Sequence, residues 1–173
     1  ELPVEITSVI GNRDDCRVNA EQAGLPFHFV AMDGAAKAAG FQKIRSILDE
    51  ESVELVVLAR FMQILPDDFC RDFEGRVINI HHSFLPAFQG AQPYHRAWER
   101  GVKLIGATGH YVTEELDAGP IIAQSTVSVS HRDEVEDLIR KGRDTERLAL
   151  ARAVRLHLKR QVMVYRGRTA VFE

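Results

Sequence analysis

Short apolar runs alternate with amphipathic stretches along the first half of the chain. The apolar runs are rich in β-branched residues and predict strands over residues 4–10, 26–30, 54–59 and 77–81. The stretches between them predict three helices: one that starts at Asp14 or Asp15 and ends at Ala23, one over residues 35–51, and a short one opened by Pro66. Because strands and helices alternate in this order, we predict an α/β fold with a parallel sheet and helical crossovers.

The pattern changes in the second half of the chain. It predicts a short helix over residues 93–100, strands over 104–113 and 121–129, and a long amphipathic helix over 133–160. Residues 162–165 and 169–172 predict a closing hairpin. Since no linker-like stretch interrupts these elements, we interpret residues 1–173 as one domain.

Composition narrows the class of protein. A hydrophobic fraction of 45% and a charged fraction of 27% are typical of a soluble globular chain. A net charge of −3 gives no electrostatic reason to bind nucleic acid or an anionic membrane, and no apolar run is long enough to span one. Cys16 and Cys70 suggest no disulfide framework. We therefore expect a cytoplasmic protein without nucleic-acid or membrane partners.

Two polar residues interrupt the apolar strand at residues 77–81. Asn79 and His81 are two positions apart, and strand side chains alternate between faces, so both are predicted to project to the same side where the strand ends. Open α/β sheets place their chemistry at the carboxyl ends of strands. The alternative is that both are strand-end polar groups satisfied by neighbouring backbone.

Asp117 is the carboxylate most able to join them. Before Ala118-Gly119-Pro120 it could equally be a turn former, but a loop between two late strands can fold back and bring it to His81. A carboxylate beside an imidazole keeps the ring protonated or fixes its tautomer, which makes it a competent general acid or base. Asn79 could then donate to an oxygen that becomes negative. The three groups together suit acyl-group chemistry without a metal.

The sequence gives less support for other types of site. A metal set could be drawn from Asp117 and the histidines, but the sequence has no His-x-x-x-His or paired-cysteine spacing, and adjacent His81 and His82 are predicted to point to opposite faces of the strand. We therefore expect no metal. Ser83 lacks the Gly-x-Ser-x-Gly context of a nucleophile. The remaining candidates are predicted to be surface or satisfied structural histidines: His95, His110 and His131.

The motifs Asn79-Ile80-His81-x-Ser83-x-Leu85-Pro86 and Glu115-Leu116-Asp117-x-Gly119-Pro120 resemble those of the formyltransferase-fold enzymes that use 10-formyltetrahydrofolate. The resemblance implies a Rossmann-like fold with a mostly parallel sheet flanked by helices. It also implies that Asn79, His81 and Asp117 are catalytic and that 10-formyltetrahydrofolate is the substrate, with no separate cofactor. Further residues that it implies for substrate binding are Phe61, Met62, Gln63, Ile64, Leu65, Ser83, Glu114, Glu115 and Leu116. Residues 58–65 could alternatively be a loop that packs apolar side chains after a strand.

Within that family, His81-His82-Ser83-Phe84 is similar to the deformylases, whereas the purine transformylases usually have proline after the histidine. The resemblance implies hydrolysis to formate and tetrahydrofolate in one-carbon metabolism, connected to purine biosynthesis. Water would attack the formyl carbon, Asp117 would position or deprotonate it, and Asn79 with protonated His81 would stabilise the oxyanion. Formyl transfer to an amine and non-catalytic folate binding remain as alternatives.

The resemblance also carries expectations about the rest of the protein. Deformylases of this family have an amino-terminal ACT domain, and the catalytic fold begins one strand and one helix before the position of Glu1. We therefore expect residues 1–173 to be the catalytic part of a longer chain. We also expect a homo-oligomer.

Overall fold

The computed structural model describes residues 4–85 and 92–172. Residues 86–91, which include Pro86 of the sequence motif, lie outside the described residues. The described chain forms two compact units, one within Pro3–Glu54 and one within Leu55–Glu173. The interpretation of the chain as a single domain stays a prediction.

The first unit is a βαβα arrangement. Strand β1 spans Val9–Gly11, a 3-10 turn spans Asp14–Cys16, helix α1 spans Arg17–Gln22, strand β2 spans Phe27–Phe29 and helix α2 spans Ala36–Glu50. The two strands pair in parallel, as the sequence predicts. Helix α2 buries the predicted apolar stripe, which consists of Phe41, Ile44, Ile47 and Leu48.

The strand predicted over residues 4–10 is shorter than expected. Its first half is not a strand, and Val4 and Ile6 are exposed. Strand β2 supplies partners only for Val9, Ile10 and Gly11. A β-branched run adopts a ladder only where a neighbouring strand takes up its backbone hydrogen bonds, so the apolar pattern alone overestimated the length.

The described residues of the second unit form a four-stranded sheet and three helices, followed by a hairpin. The strands are β3 (Val56–Leu58), β4 (Val77–His81), β5 (Leu104–Tyr111) and β6 (Ile121–Ser128), in that spatial order. The helices are α3 (Asp67–Asp72), α4 (Pro93–Glu99) and α5 (Val135–Leu158), and the chain ends in a hairpin of β7 (Val162–Tyr165) and β8 (Arg168–Val171). Strands β3 and β4 are parallel, whereas β4–β5 and β5–β6 are antiparallel. The α/β class is confirmed.

Helix α5 covers one face of this sheet. It begins with a capping box in which Glu134 and Asp137 each accept from the other's backbone N–H, which satisfies donors that the first helical turn leaves free. Its small residue Ala153 is fully buried against the sheet, in a core with Ile78 and Tyr111. Gly109 permits this approach, because a side chain there would lie 2.8 Å from the Cβ of Ala153. The helix therefore fixes β4 and β5, which carry the polar residues described next.

Candidate active site

Asn79 and His81 lie at the carboxyl end of β4, as the sequence predicts. In the antiparallel ladder with β5, Asn79 lies opposite His110 and His81 lies opposite Thr108. His81 is buried, with 7% of its surface exposed. Both residues reach a common set of partners: Asn79 Nδ2 is 3.3 Å from His110 Nε2, and His81 and His110 both face Asp117. The predicted projection of the two side chains to one side is therefore confirmed.

Asp117 reaches the site from the loop between β5 and β6. Its carboxylate Oδ2 lies 3.2 Å from His81 Nδ1, and Oδ1 lies 3.7 Å from His110 Nε2. The residue has a φ of 55°, a left-handed conformation that Asp tolerates better than most residues. Gly119 holds the loop against the end of β5, since an added Cβ would collide with the Tyr111 carbonyl. Asp117 thus shapes the turn and supplies the carboxylate.

The environment of His81 favours its neutral form. Burial lowers the pKa of the imidazole, Asp117 opposes this by favouring the charged ring, and the neighbouring rings of His82 and His110 lower it further. The net direction is below the ordinary value. Because a carboxylate only accepts, His81 Nδ1 carries the proton donated to Asp117, which leaves the lone pair on Nε2. Within the described residues, this buried Nε2 has no hydrogen-bond partner.

His110 is a site residue that the sequence analysis did not identify. It is 2% exposed, and its Nδ1 donates to the Tyr111 carbonyl at 2.8 Å. Nε2 therefore accepts, and the Asn79 amide donates to it. Burial lowers the pKa of His110, with the Tyr111 carbonyl and Asp117 acting in the opposite direction. His110 is a satisfied histidine, as predicted, but its partner is a candidate catalytic residue, so it fixes which way the Asn79 amide points.

A signal for His110 was present in the sequence. Thr108 and His110 are two positions apart within an apolar strand, which is the same spacing that singled out Asn79 and His81. The register of β5 with β6 shifts between Gly109 and His110. Such bulges re-aim side chains and are frequent beside active sites.

His82 corrects one expectation. Adjacent His81 and His82 were predicted to point to opposite faces, but their rings stack with centroids 4.8 Å apart and an interplanar angle of 23°. Strand alternation fails here because β4 ends at His81, and the chain bends at His82.

The loop after His81 is tied to β5. Thr108 Oγ1 donates to the Ser83 carbonyl at 2.9 Å and accepts from the Leu85 N–H at 3.1 Å. Gln124 adds two hydrogen bonds, to Thr108 Oγ1 and the Leu85 carbonyl. Ser83 is buried beside His81. These hydrogen bonds fix the path of the chain where it leaves β4.

The remaining residues predicted for substrate binding lie in two loops. In the segment after β3, Leu65 is buried, whereas Met62 and Ile64 are 82% and 62% exposed. In the loop before Asp117, Leu116 is 65% exposed, and Glu114 pairs with Arg71 of α3 at 2.8 Å. The other three predicted residues, Phe61, Gln63 and Glu115, lie in the same two loops. Their contact with a substrate stays a prediction.

A separate cavity of about 720 Å³ lies beside the ends of β3 and β4, against α5. Ile80 lines it from β4, on the face opposite Asn79 and His81. Its wall contains four arginines and three carboxylates, so both signs of charge line the cavity: Arg60, Arg140, Arg143, Arg147, Glu136, Asp144 and Glu146. Arg140 and Arg147 also form ion pairs with Asp137 and Asp144.

The side chains and helices of residues 4–85 and 92–172 bear on other types of site. In this part of the chain, no group of three or more His, Cys, Asp and Glu side chains is arranged to hold a metal ion. No helix among these residues is long and apolar enough to cross a bilayer. The absence of a metal from the reaction stays a prediction.

Comparisons with known proteins identify relatives over most of the chain. Residues 1–154 match the family model described as formyl transferase. A formyltetrahydrofolate deformylase of Synechocystis sp. is 55% identical over 172 residues, which cover 99% of this chain and 60% of the relative. One of Bacillus subtilis is 50% identical over 171 residues, with 99% and 57% covered. The chain thus spans about 60% of the length of the first of these relatives.

Solved structures of deformylases and formyltransferases are also similar to this chain. A crystal structure of a formyltetrahydrofolate deformylase from Pseudomonas syringae pv. tomato has a TM-score of 0.96 and 51% identity, covering 100% of this chain and 58% of that one. A phosphoribosylglycinamide formyltransferase from Anaplasma phagocytophilum has a TM-score of 0.88 and 35% identity, covering 98% of this chain and 83% of that one.

Proposed function

The chain belongs to the formyl transferase family and has its fold, and from this premise we propose that it is the catalytic part of an enzyme that hydrolyses 10-formyltetrahydrofolate to formate and tetrahydrofolate. The observation that carries the proposal is the contact between buried His81 and partly buried Asp117, with Asn79 held nearby by His110. The deformylases among the relatives reach 55% identity, against 35% for the transferase from Anaplasma phagocytophilum, which supports hydrolysis over transfer.

The first step is the attack of water on the formyl carbon. The sequence motif suggested Asp117 as the base and a protonated His81, but burial favours the neutral ring, so we assign the base to His81. Asp117 Oδ2 accepts a hydrogen bond from Nδ1–H of His81, and the Nε2 lone pair takes a proton from the water. As the water oxygen bonds to carbon, the carbonyl electron pair moves to the formyl oxygen. The resulting imidazolium is stabilised by Asp117 and lies beside the oxyanion.

Asn79 stabilises the same oxyanion. His110 accepts one hydrogen of the Asn79 amide and leaves the second for the substrate. A donor fixed before the reaction stabilises developing charge without reorganising. Removing one such donor raises the activation barrier by about 2.7–4 kcal/mol.

Collapse of the tetrahedral intermediate completes the reaction. The carbonyl re-forms, the bond between the formyl carbon and the folate nitrogen breaks, and imidazolium His81 gives its proton to that nitrogen. Formic acid then ionises to formate. The pterin is proposed to lie against residues 61–65 and 114–117, with Ser83 next to the reacting group.

The decisive experiment measures formate release from 10-formyltetrahydrofolate by the full-length protein, with and without glycinamide ribonucleotide. Release that depends only on water supports the proposal. His81→Ala and Asp117→Ala should each lower turnover by roughly 10²–10⁴-fold while circular dichroism shows a folded chain. A folded His81→Ala variant with full turnover contradicts the assigned site. Binding of a folate analogue without formate release indicates a non-catalytic module.

Formyl transfer to an amine is the second candidate. The observation that favours it is the likeness to the phosphoribosylglycinamide formyltransferase from Anaplasma phagocytophilum, which has a TM-score of 0.88 over 98% of this chain. Turnover only in the presence of glycinamide ribonucleotide would establish this alternative and leave Asn79, His81 and Asp117 in the same roles.

A further inference from the structure

The ring of His82 lies directly against the proposed base and has no role in the mechanism above. Its centroid is 4.8 Å from that of His81, and the two planes differ by 23°. The Nε2 atom of His82 is buried and, among the described residues, has no hydrogen-bond partner. A buried polar atom without a partner costs free energy, so this imidazole is not explained by packing alone.

The other neighbour of His82 is held firmly. Tyr94 of α4 lies 6.5 Å from the His82 ring, and its hydroxyl donates to Glu146 Oε1 of α5 at 2.8 Å. Gly142 makes room for this phenol, because a Cβ there would collide with the Tyr94 hydroxyl. His82 therefore neighbours both His81 and an anchored aromatic ring.

The charged groups around His81 and His82 determine how much positive charge the two rings can carry. Asp117 and His110 face His81, and Asp117 is the only carboxylate within ion-pair distance of it in the described chain. His82 faces Tyr94, whose surrounding charged groups are Glu146, Arg60 and Arg143. Burial and Glu146 raise the pKa of Tyr94, so the phenol is neutral and supplies no counter-charge. Two stacked cations next to one carboxylate would repel each other.

We propose that His82 is a positioning residue for His81, which holds the His81 ring at the angle where Nδ1 faces Asp117. The inference rests on the proposed function, since it gives His81 the part of general base. The neighbouring ring also disfavours positive charge on His81, and a proton already on Nε2 of His81 would prevent that atom from accepting one from water. The stack thus keeps the base available at lower pH than an isolated ring beside Asp117.

Two substitutions separate the ring from its charge. His82→Phe keeps a flat ring in the stack and cannot be protonated. His82→Gln cannot be protonated either, and it has no ring. His131→Phe is the matched control, because His131 is exposed and lies outside the site. The full-length variants are compared in formate release from 10-formyltetrahydrofolate between about pH 5 and pH 9, with the His81 Cε1–H resonance followed by NMR over the same range.

We expect both His82 variants to move the acidic limb of kcat/KM and the NMR midpoint of His81 to higher pH, because a like charge is removed. We expect His82→Phe to keep kcat within about threefold, and His82→Gln to lower it roughly tenfold or more, because the His81 ring loses its support. His131→Phe should match the wild type in every measurement.

Each failure has a distinct meaning. If the wild type releases formate and both His82 variants keep the wild-type pH limb and kcat, the inference about His82 is overturned and the proposed function stands. A limb that moves to lower pH also overturns it. If the wild type releases no formate, the proposed function fails, and the NMR midpoint of His81 in His82→Phe still decides whether the stack limits protonation.

Discussion

Asp117 occupies a left-handed backbone position and faces two imidazoles, so a substitution there must preserve both shape and turn. Asparagine tolerates the same φ and has nearly the same size, so Asp117→Asn removes the carboxylate while it preserves the turn. An amide cannot stabilise the imidazolium and can hold the wrong His81 tautomer. We expect kcat to fall by about 10²–10⁴-fold with little change in folding. Asp49→Asn, on the exposed surface of α2, is the control.

The pH dependence follows from the same pair. The proposed base must be neutral, and the pKa of His81 lies below its usual 6.5 because of burial. Formate release should therefore fall as the pH drops through a midpoint below 6.5. Asp117 raises this pKa, so the residual activity of Asp117→Asn should have its acidic limb at still lower pH. A limb at higher pH in that variant would contradict the pairing.

His110 is predicted to act through Asn79. His110→Phe fills the same buried space but accepts no hydrogen bond, so the Asn79 amide is free to rotate away from the substrate. We expect kcat to fall roughly 10–100-fold with KM nearly unchanged. Steady-state kinetics at several substrate concentrations separate the two constants. A purely structural histidine would instead give normal kinetics in the fraction that remains folded.

At the scale of single residues, the sequence predicted Asn79, His81 and Asp117 as site residues, because residue type and local spacing can be read directly from the sequence. The structure brings these three together. The spacing of Thr108 and His110 marked His110 as a strand polar residue, but its role could not be assigned, since its contact with Asn79 depends on the register of β4 with β5 and on a shift in β5. The stacking of His82 could not be predicted either, because the residue at which a strand ends is set by its neighbours.

At the scale of helices and strands, the sequence predicted an element well where the residues that determine its ends lie within or next to it. Helix α5 begins and ends within two residues of the predicted 133–160, since its capping box and apolar stripe are both encoded nearby. Strand β1 lost the first half of its predicted length because β2 offers it only three partners. The parallel pairs β1–β2 and β3–β4 agree with the predicted crossovers. Strand extent, by contrast, depends on pairing that no short stretch of sequence encodes.

Glu51 connects the elements of the first unit. It follows α2 and accepts from the Ser8 hydroxyl at 2.6 Å, while His28 of β2 lies 2.9 Å from its other oxygen. The Ser8 hydrogen bond is the largest cause of a pKa for Glu51 below its usual 4.5. A lowered carboxyl pKa contributes stability above the unfolded-state pKa, and this stability is lost as the pH falls through the folded-state pKa.

Ser8→Ala should therefore destabilise the protein by about 1 kcal/mol at neutral pH, and the difference from the wild type should shrink as the pH falls through the folded-state pKa of Glu51, which lies below 4.5. Urea unfolding at neutral pH and at an acidic pH below 4.5 measures this. Ser46→Ala is the control, because the Ser46 hydroxyl donates to a carbonyl of its own helix and not to a carboxylate. A Ser8→Ala effect that is equal at both pH values would show that Glu51 is not its cause.

Over the molecule as a whole, exposed large apolar side chains are scattered over several elements, and two of them lie on the loops where the pterin is proposed to bind. Met62 and Leu116 are 82% and 65% exposed on the two loops that precede α3 and Asp117. An apolar side chain that stays in water in the free protein contributes little to folding and can contribute when a ligand covers it. Substitutions at Met62 and Leu116 should therefore change substrate binding without changing the stability of the fold.

Leu116→Ser should raise KM for 10-formyltetrahydrofolate by about 10–100-fold, because covering a leucine side chain contributes about 1.5–3 kcal/mol. Neither kcat nor Tm should change appreciably, since the side chain is largely exposed before substrate binds. Leu148→Ser is the matched control: Leu148 is 67% exposed on α5, away from both loops, and its loss should leave KM unchanged. If Leu116→Ser lowered Tm and left KM unchanged, Leu116 would be a packing residue of its loop, and the pterin would have to lie elsewhere.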